Sequence, residues 1–169
     1  SYLEHQAQTA KAKINFAAIV DEVVEGNKHK IQQANLNLTY KKPVDYRQFI
    51  FSGNNAQIKR LVTNLLDNAI KYNQSDGKII IKLSAKNYQI LFSIQDTGIG
   101  IQEKDLPYIF DRHFQSAKSQ TGLKKGFGLG LSIVKEIINR HQGQIDIKST
   151  YGKGTKLVMI FPQNILKNK

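Results

Sequence analysis

Ala56-Gln-Ile-Lys-Arg-Leu61-Val62-Thr-Asn64-Leu65-Leu66-Asp-Asn68-Ala69-Ile70-Lys71-Tyr72 is the stretch on which the fold turns. At about 100° per residue, Leu61, Val62, Leu65, Leu66, Ala69 and Ile70 cover one half of a helical wheel. Asn64, Asn68 and Lys71 fall within roughly 60° of one another on the other half, with Tyr72 on the border. A helix over 56–72 therefore buries one side and aligns two amides and an ammonium on the other. Amide oxygens are hard ligands that suit Mg²⁺, and a lysine suits phosphate. An ordinary amphipathic helix would carry the same kind of polar face, so the chemistry has to be judged with its neighbours.

Upstream, Phe16, Ile19, Val20, Val23, Val24 and Ile31 recur at helical spacing and predict a helix over 16–33. Residues 35–40 alternate through Leu36, Leu38 and Tyr40 and read as a strand. A second short strand is expected over 47–51, closed by the turn signal Ser52-Gly53-Asn54-Asn55. Residues 1–15 are polar, short and helix-compatible, and read as the end of a preceding element. Downstream, strands over 78–85 and 88–95 flank a turn at Lys86-Asn87, and a glycine loop follows at 96–101. A short helix is expected over 103–114, with Pro107 near its start or kinking it. Residues 115–125 have no apolar period and suit a mobile segment. A helix over 129–141 then ends at Gly143, which suits a C-terminal cap. Strands over 144–149 and 155–161 flank the turn Tyr151-Gly152-Lys153-Gly154, and the run to Lys169 reads as a frayed end. The hairpin links argue for a mixed, mostly antiparallel sheet with helices on one face, because a fully parallel sheet needs crossover helices.

A length of 169 residues suits one domain, or one domain with a short extra segment, and an apolar fraction of 40% suffices for one core. No apolar run approaches the ~18–20 residues of a membrane span. The absence of Cys excludes disulfides and Cys-based zinc sites. A net charge of +12 favours anionic partners: nucleotide, nucleic acid, acidic protein or anionic membrane. The lysines are spread along the chain without a regular set of aromatics between them, which argues against nucleic acid.

Three glycine motifs accompany the helix. Asp96-Thr97-Gly98-Ile99-Gly100-Ile101 follows a strand; two glycines let backbone pass close to a ligand, and the aspartate can accept from an exocyclic amine. Gly126-Phe127-Gly128-Leu129-Gly130-Leu131 runs into a helix, where free N–H groups and the helix dipole favour phosphate. It is not a Walker A loop, since no Gly-Lys-Ser/Thr follows in place. Gly152-Lys153-Gly154-Thr155 is a hairpin turn. A tight turn, a capped helix and a hairpin would each explain one motif; their order and spacing together are specific.

In that order the motifs resemble the histidine-kinase ATPase superfamily. Asn64 to Tyr72 looks like its N box, Asp96 to Ile101 its G1 box, Ile109-Phe110-Asp111-Arg112 its F box, Gly126 to Leu131 its G2 box, and Gly152 to Thr155 its last glycine motif. The resemblance covers roughly 16–161 and implies the catalytic, ATP-binding domain of a bacterial sensor histidine kinase. The implied fold is a two-layer α/β sandwich, the Bergerat ATP-binding fold, holding Mg-ATP under a lid. By resemblance, Asn68 ligates Mg²⁺, Asn64 lies beside metal and phosphates, Lys71 contacts phosphate and Tyr72 packs near the adenine. Asp96 accepts the adenine amino hydrogen, Gly98 and Gly100 give the base room, and Thr155 borders the adenine pocket. Residues 115–125 are the lid, and Gly126, Gly128, Leu129 and Gly130 form its phosphate-binding end.

Gyrase and the large heat-shock chaperones carry, four residues before the metal Asn, a Glu that activates water. Asn64 stands there in this chain, and an amide is no base at neutral pH. The site is therefore expected to hold ATP without fast hydrolysis. The F box departs from the family pattern, with His113 where a second Phe is frequent and Gln115 where a basic residue is common. Arg112, Lys124 and Lys125 are the candidates for the lid-side cation, His113 reads as a packing or solvent-facing residue and His141 as structural. The family's acceptor histidine sits in a His-Glu-x-x-x-Pro-like setting of a dimerisation helix, and His5, followed by Gln6, has no such setting. The resemblance thus implies a remnant of the dimerisation region at 1–15, the ATP-binding domain at 16–162 and a tail at 163–169. It further implies a cytoplasmic domain of a membrane-anchored sensor, monomeric alone and homodimeric when intact. The expected partners are ATP, the acceptor dimerisation domain and, indirectly, a response regulator, with no nucleic acid. A non-catalytic nucleotide-binding regulator and an anti-sigma-type serine kinase are the alternatives within the superfamily.

Overall fold

The computed structural model describes residues 11–112, 114 and 130–163. The first strand, β1 (Ala12–Asn15), runs directly into helix α1 (Phe16–Gln33). Asn15 caps α1 by accepting from the Ala18 N–H, at 3.1 Å. Strand β2 (Asn37–Tyr40) follows, then a 3-10 turn (Tyr46–Phe49), strand β3 (Ile50–Gly53) and helix α2 (Asn55–Lys71). The hairpin of β4 (Lys78–Lys86) and β5 (Gln89–Asp96) leads into a second 3-10 turn (Glu103–Tyr108). Helix α3 (Gly130–Arg140) and the hairpin of β6 (Gln144–Thr150) and β7 (Gly154–Pro162) complete the described fold.

Five strands form one sheet in the order β2-β4-β5-β7-β6, parallel only between β2 and β4, and β1 pairs antiparallel with β3 beside it. The mixed, mostly antiparallel sheet with helices packed on it is the expected fold class. Alternate residues of the central strands, such as Ile90, Phe92 and Ile94 of β5, turn into the core. Helix α2 lies between α1 and α3 and also meets β5. Its buried stripe is Ile58, Leu61, Val62, Leu65, Leu66 and Ala69, the half of the wheel read from sequence. Four fully buried rings knit the layers, with the Phe16 centroid 5.4 Å from both Phe92 and Phe161 and 5.9 Å from Phe51.

Three local expectations are corrected. Residues 12–15 are a strand rather than helix-compatible chain, because Ile14 is buried and the backbone pairs with β3 in the register Ile14–Phe51. The strand expected over 47–51 starts at Ile50. Before it, Asp45 accepts from the Arg47 N–H at 3.0 Å and winds a 3-10 turn, while the Tyr46 hydroxyl donates to Asp21 on α1. The cap of α3 is not Gly143: Gln142 takes the left-handed conformation, at φ 56°. Its N–H bonds to Asn139 O, and the Gly143 N–H bonds to Ile138 O, the paired bonds of a Schellman motif. Gly143 is glycine for a different reason, since a Cβ there would lie 2.9 Å from the Phe161 ring.

His141 closes the end of α3 as a buried structural residue, as expected. Its Nδ1–H donates to Ile137 O at 2.8 Å, and Nε2 accepts from the Asn54 N–H at 3.0 Å, the residue that caps α2. Burial pushes its pKa below the ordinary value, with Lys11 and Arg140 adding to the effect against the Ile137 bond. The unfolded chain then binds a proton that the folded chain refuses, so stability falls as pH drops below about 6.5. Urea unfolding is expected to show that loss in the wild type, with a flatter dependence over the same range in His141→Gln.

Candidate nucleotide site

A pocket opens between the second half of α2, the end of β5 with its loop, the second 3-10 turn and the β6–β7 hairpin. Asn68, Tyr72, Asp96, Gly100 and Thr155 line it, so five of the sequence-derived candidates converge although they are spread over 88 positions (155 − 68 + 1). Its apolar wall comes from Leu65, Ile94, Ile109, Leu131, Ile147 and Leu157, none of which was a site candidate from sequence. An apolar slot with few polar groups at its ends suits a flat, hydrogen-bonding ring system.

The end of β5 is heavily braced. Asp96 Oδ1 accepts from the Gly98 N–H at 2.8 Å and from the Thr155 N–H at 3.3 Å, which leaves Oδ2 outside these two bonds. Burial raises the Asp96 pKa, opposed by the bonds from Gly98 and Thr155. Ile99 N–H donates to Tyr72 O at 3.0 Å, tying the loop to the end of α2. Asn73, not singled out from sequence, reinforces the tie: it is buried, and its Nδ2 donates to Lys78 O at 3.1 Å.

Gly98, Gly100 and Gly154 each sit in close backbone contact. A Cβ on Gly98 would lie 2.2 Å from Tyr72 O, and Gly98 does not line the pocket. A Cβ on Gly100, at φ +66°, would lie 2.1 Å from Thr150 O. Gly154, at φ +115°, is pressed equally close to Asp96 O. These approaches lock helix, loop and hairpin into one wall.

The other candidates fall as follows. Asn64 is one turn before Asn68 on α2, and its Nδ2 is buried with no hydrogen-bond partner among the described residues. Gly130, the first residue of α3, faces Asn68, since a Cβ on it would sit 3.7 Å from Asn68 Nδ2 and 3.8 Å from Oδ1. Lys71 does not line the pocket; its ammonium lies 5.1 Å from the centre of the Tyr72 ring. Arg112 is exposed, with Nη2 3.8 Å from Glu136 Oε2 on α3. Lys124, Lys125, Gly126, Gly128, Leu129, His113, His5 and the expected lid at 115–125 lie outside the described residues.

Residues 53–165 match the family described as histidine kinase-, DNA gyrase B- and HSP90-like ATPases. The chain belongs to that family, and its relatives place it with the histidine kinases. It is 33% identical over 132 residues to the circadian input-output histidine kinase CikA of Synechocystis, a match spanning 78% of this chain and 17% of CikA. It is 34% identical over 142 residues to the signal transduction histidine-protein kinase ArlS of Staphylococcus aureus, spanning 84% of this chain and 32% of ArlS. The chain thus spans a third or less of either relative. Among solved structures, the catalytic domain of histidine kinase ThkA superposes with a TM-score of 0.74 at 25% identity, covering 91% of this chain and 98% of that one. ThkA is also known in complex with the response regulator TrrA. This chain is a histidine-kinase-type ATPase domain. No described helix is long and apolar enough to cross a membrane.

Proposed function

We propose that this domain binds Mg-ATP and transfers its γ-phosphoryl group to a histidine of a dimerisation domain, for relay to a response regulator. The observation that carries this reading is the pocket's polarity. Its lining holds a carboxylate clamped by two backbone N–H groups and, on α2, Asn68 against the start of α3. ATP would lie along this lining with its adenine amine toward Asp96 and its phosphates toward Asn68.

Mg²⁺ fits the phosphate end by its donor chemistry. The Asn68 side chain on the pocket lining offers an amide oxygen, a hard donor of the kind Mg²⁺ takes while phosphates and water complete its shell. Asn68 would supply that oxygen, and the metal would neutralise phosphate charge. The Nδ2 of Asn64, without a hydrogen-bond partner among the described residues, is a donor that a phosphate oxygen would satisfy. Gly126, Gly128, Leu129 and Gly130 would meet the phosphates with backbone N–H groups, and Lys71, Arg112, Lys124 and Lys125 would supply cations. In the transfer, the acceptor imidazole nitrogen bonds to the γ-phosphorus as the bond to the ADP oxygen breaks. The domain's work is positioning and charge stabilisation.

Asp96→Asn tests base recognition. A hydrogen bond to a charged acceptor contributes about 1.5–3 kcal/mol, so ATP affinity is expected to fall roughly ten- to hundredfold. Calorimetry that finds wild-type affinity in Asp96→Asn removes Asp96 from that role.

A further inference from the structure

The hydroxyl of Ser149, on β6, sits where the loop after β5 meets the hairpin. It lies 2.8 Å from Ile101 N, 3.0 Å from Gly154 O and 2.8 Å from Thr155 Oγ1. A serine hydroxyl has one proton and two lone pairs. The Ile101 N–H occupies one lone pair. The Gly154 carbonyl can only accept, so the single Ser149 proton goes there. What remains toward Thr155 is a lone pair, and Thr155 must donate to it. The one proton of Thr155 is thereby used, and its Oγ1 faces further contacts only as an acceptor. The Thr155 N–H is used as well, on Asp96 Oδ1. An ionised Asp96 is also acceptor-only.

We propose that Ser149 is a positioning residue for nucleotide selection: it fixes the Thr155 hydroxyl as an acceptor, so that Thr155 and Asp96 both face the ligand as acceptors. A 6-amino purine brings hydrogens to such a wall, whereas a 6-oxo purine brings lone pairs against lone pairs. The inference rests on the nucleotide reading above and adds to it a residue that does not itself line the pocket. Without Ser149 the Thr155 proton is released, its hydroxyl can turn to donate, and the wall tolerates a keto oxygen.

The test compares ATP with ITP, its 6-oxo analogue, by calorimetry on the wild type, Ser149→Ala, Ser149→Thr, Thr155→Val and the Ser149→Ala/Thr155→Val double variant, with thermal melts on each. The wild type is expected to prefer ATP. Ser149→Ala should reduce the ATP/ITP affinity ratio about three- to tenfold, the worth of one hydrogen bond. Ser149→Thr should keep the ratio, Thr155→Val should lose as much as Ser149→Ala, and the double variant should lose no more than either. An unchanged ratio in folded Ser149→Ala overturns the proposal, and so does full additivity in the double variant. Should Ser149→Ala not fold, a Thr155→Val protein with the wild-type ratio overturns it equally. A wild type that binds neither nucleotide sinks the nucleotide reading as a whole, whereas selective binding insensitive to Ser149 sinks this inference alone.

Discussion

Asn68→Ala is expected to abolish phosphotransfer and leave the fold intact. Asn68 is half-buried on the pocket side of α2, at the border of the buried stripe and not one of its residues, so its truncation opens no cavity in the core. Its backbone carbonyl still accepts from the Tyr72 N–H at the helix end, at 3.0 Å. Alanine is also the better helix former, by about 0.5 kcal/mol. What disappears is the oxygen proposed to hold the metal against the phosphates. Loss of one preorganised electrostatic group of this kind costs about a hundred- to a thousandfold in rate, and loss of the proposed metal ligand belongs at the upper end. The check pairs a thermal melt with a phosphotransfer assay. An unfolded variant would show that Asn68 is structural, and a fully active one would remove it from the metal site.

The contrast between Asn68 and its neighbours shows what sequence could and could not reveal. The polar row of Asn64, Asn68 and Lys71 was legible because helical periodicity is local: the residues that bury themselves define the face left over. The hairpins were legible for the same reason. The β4–β5 turn was read from Lys86-Asn87, and the structure places Asn87 and Tyr88 there in the left-handed conformation. Longer-range demands were not legible. Nothing in residues 12–15 announces that β3 will pair with them. Nothing near Gly98 announces that the carbonyl of Tyr72, 26 positions earlier (98 − 72), will press on its α-carbon. Ser149 looks like one more alternating strand residue until its hydroxyl is found among Ile101, Gly154 and Thr155. The motif resemblance brought Asp96 and Thr155 together on one pocket. Only the coordinates supply the hydrogen bond between them, and with it a reason why the aspartate offers one oxygen and keeps the other braced.

The second large expected effect concerns this 169-residue chain alone. Incubated with Mg-ATP, it should bind nucleotide and incorporate almost no phosphate. None of its 4 histidines is followed by Glu, His141 is buried and bonded on both ring nitrogens, and Asn64 cannot act as a base for water. A dimerisation domain carrying an acceptor histidine, added in trans, should gain acid-labile phosphate. It should do so more slowly than when tethered, because a linker supplies an effective concentration, commonly around millimolar, that mixing does not. With a net charge of +12, docking to an acidic partner face would also make that rate fall with salt.

The most direct measurement of the central claim is therefore phosphate transfer from labelled ATP in that mixture, followed by acid treatment and mapping of the modified residue. The account predicts acid-labile label on the added domain's histidine, none without that domain, and none with Asn68→Ala. Stoichiometric label on the isolated chain, or acid-stable label on a serine of the partner, would contradict it.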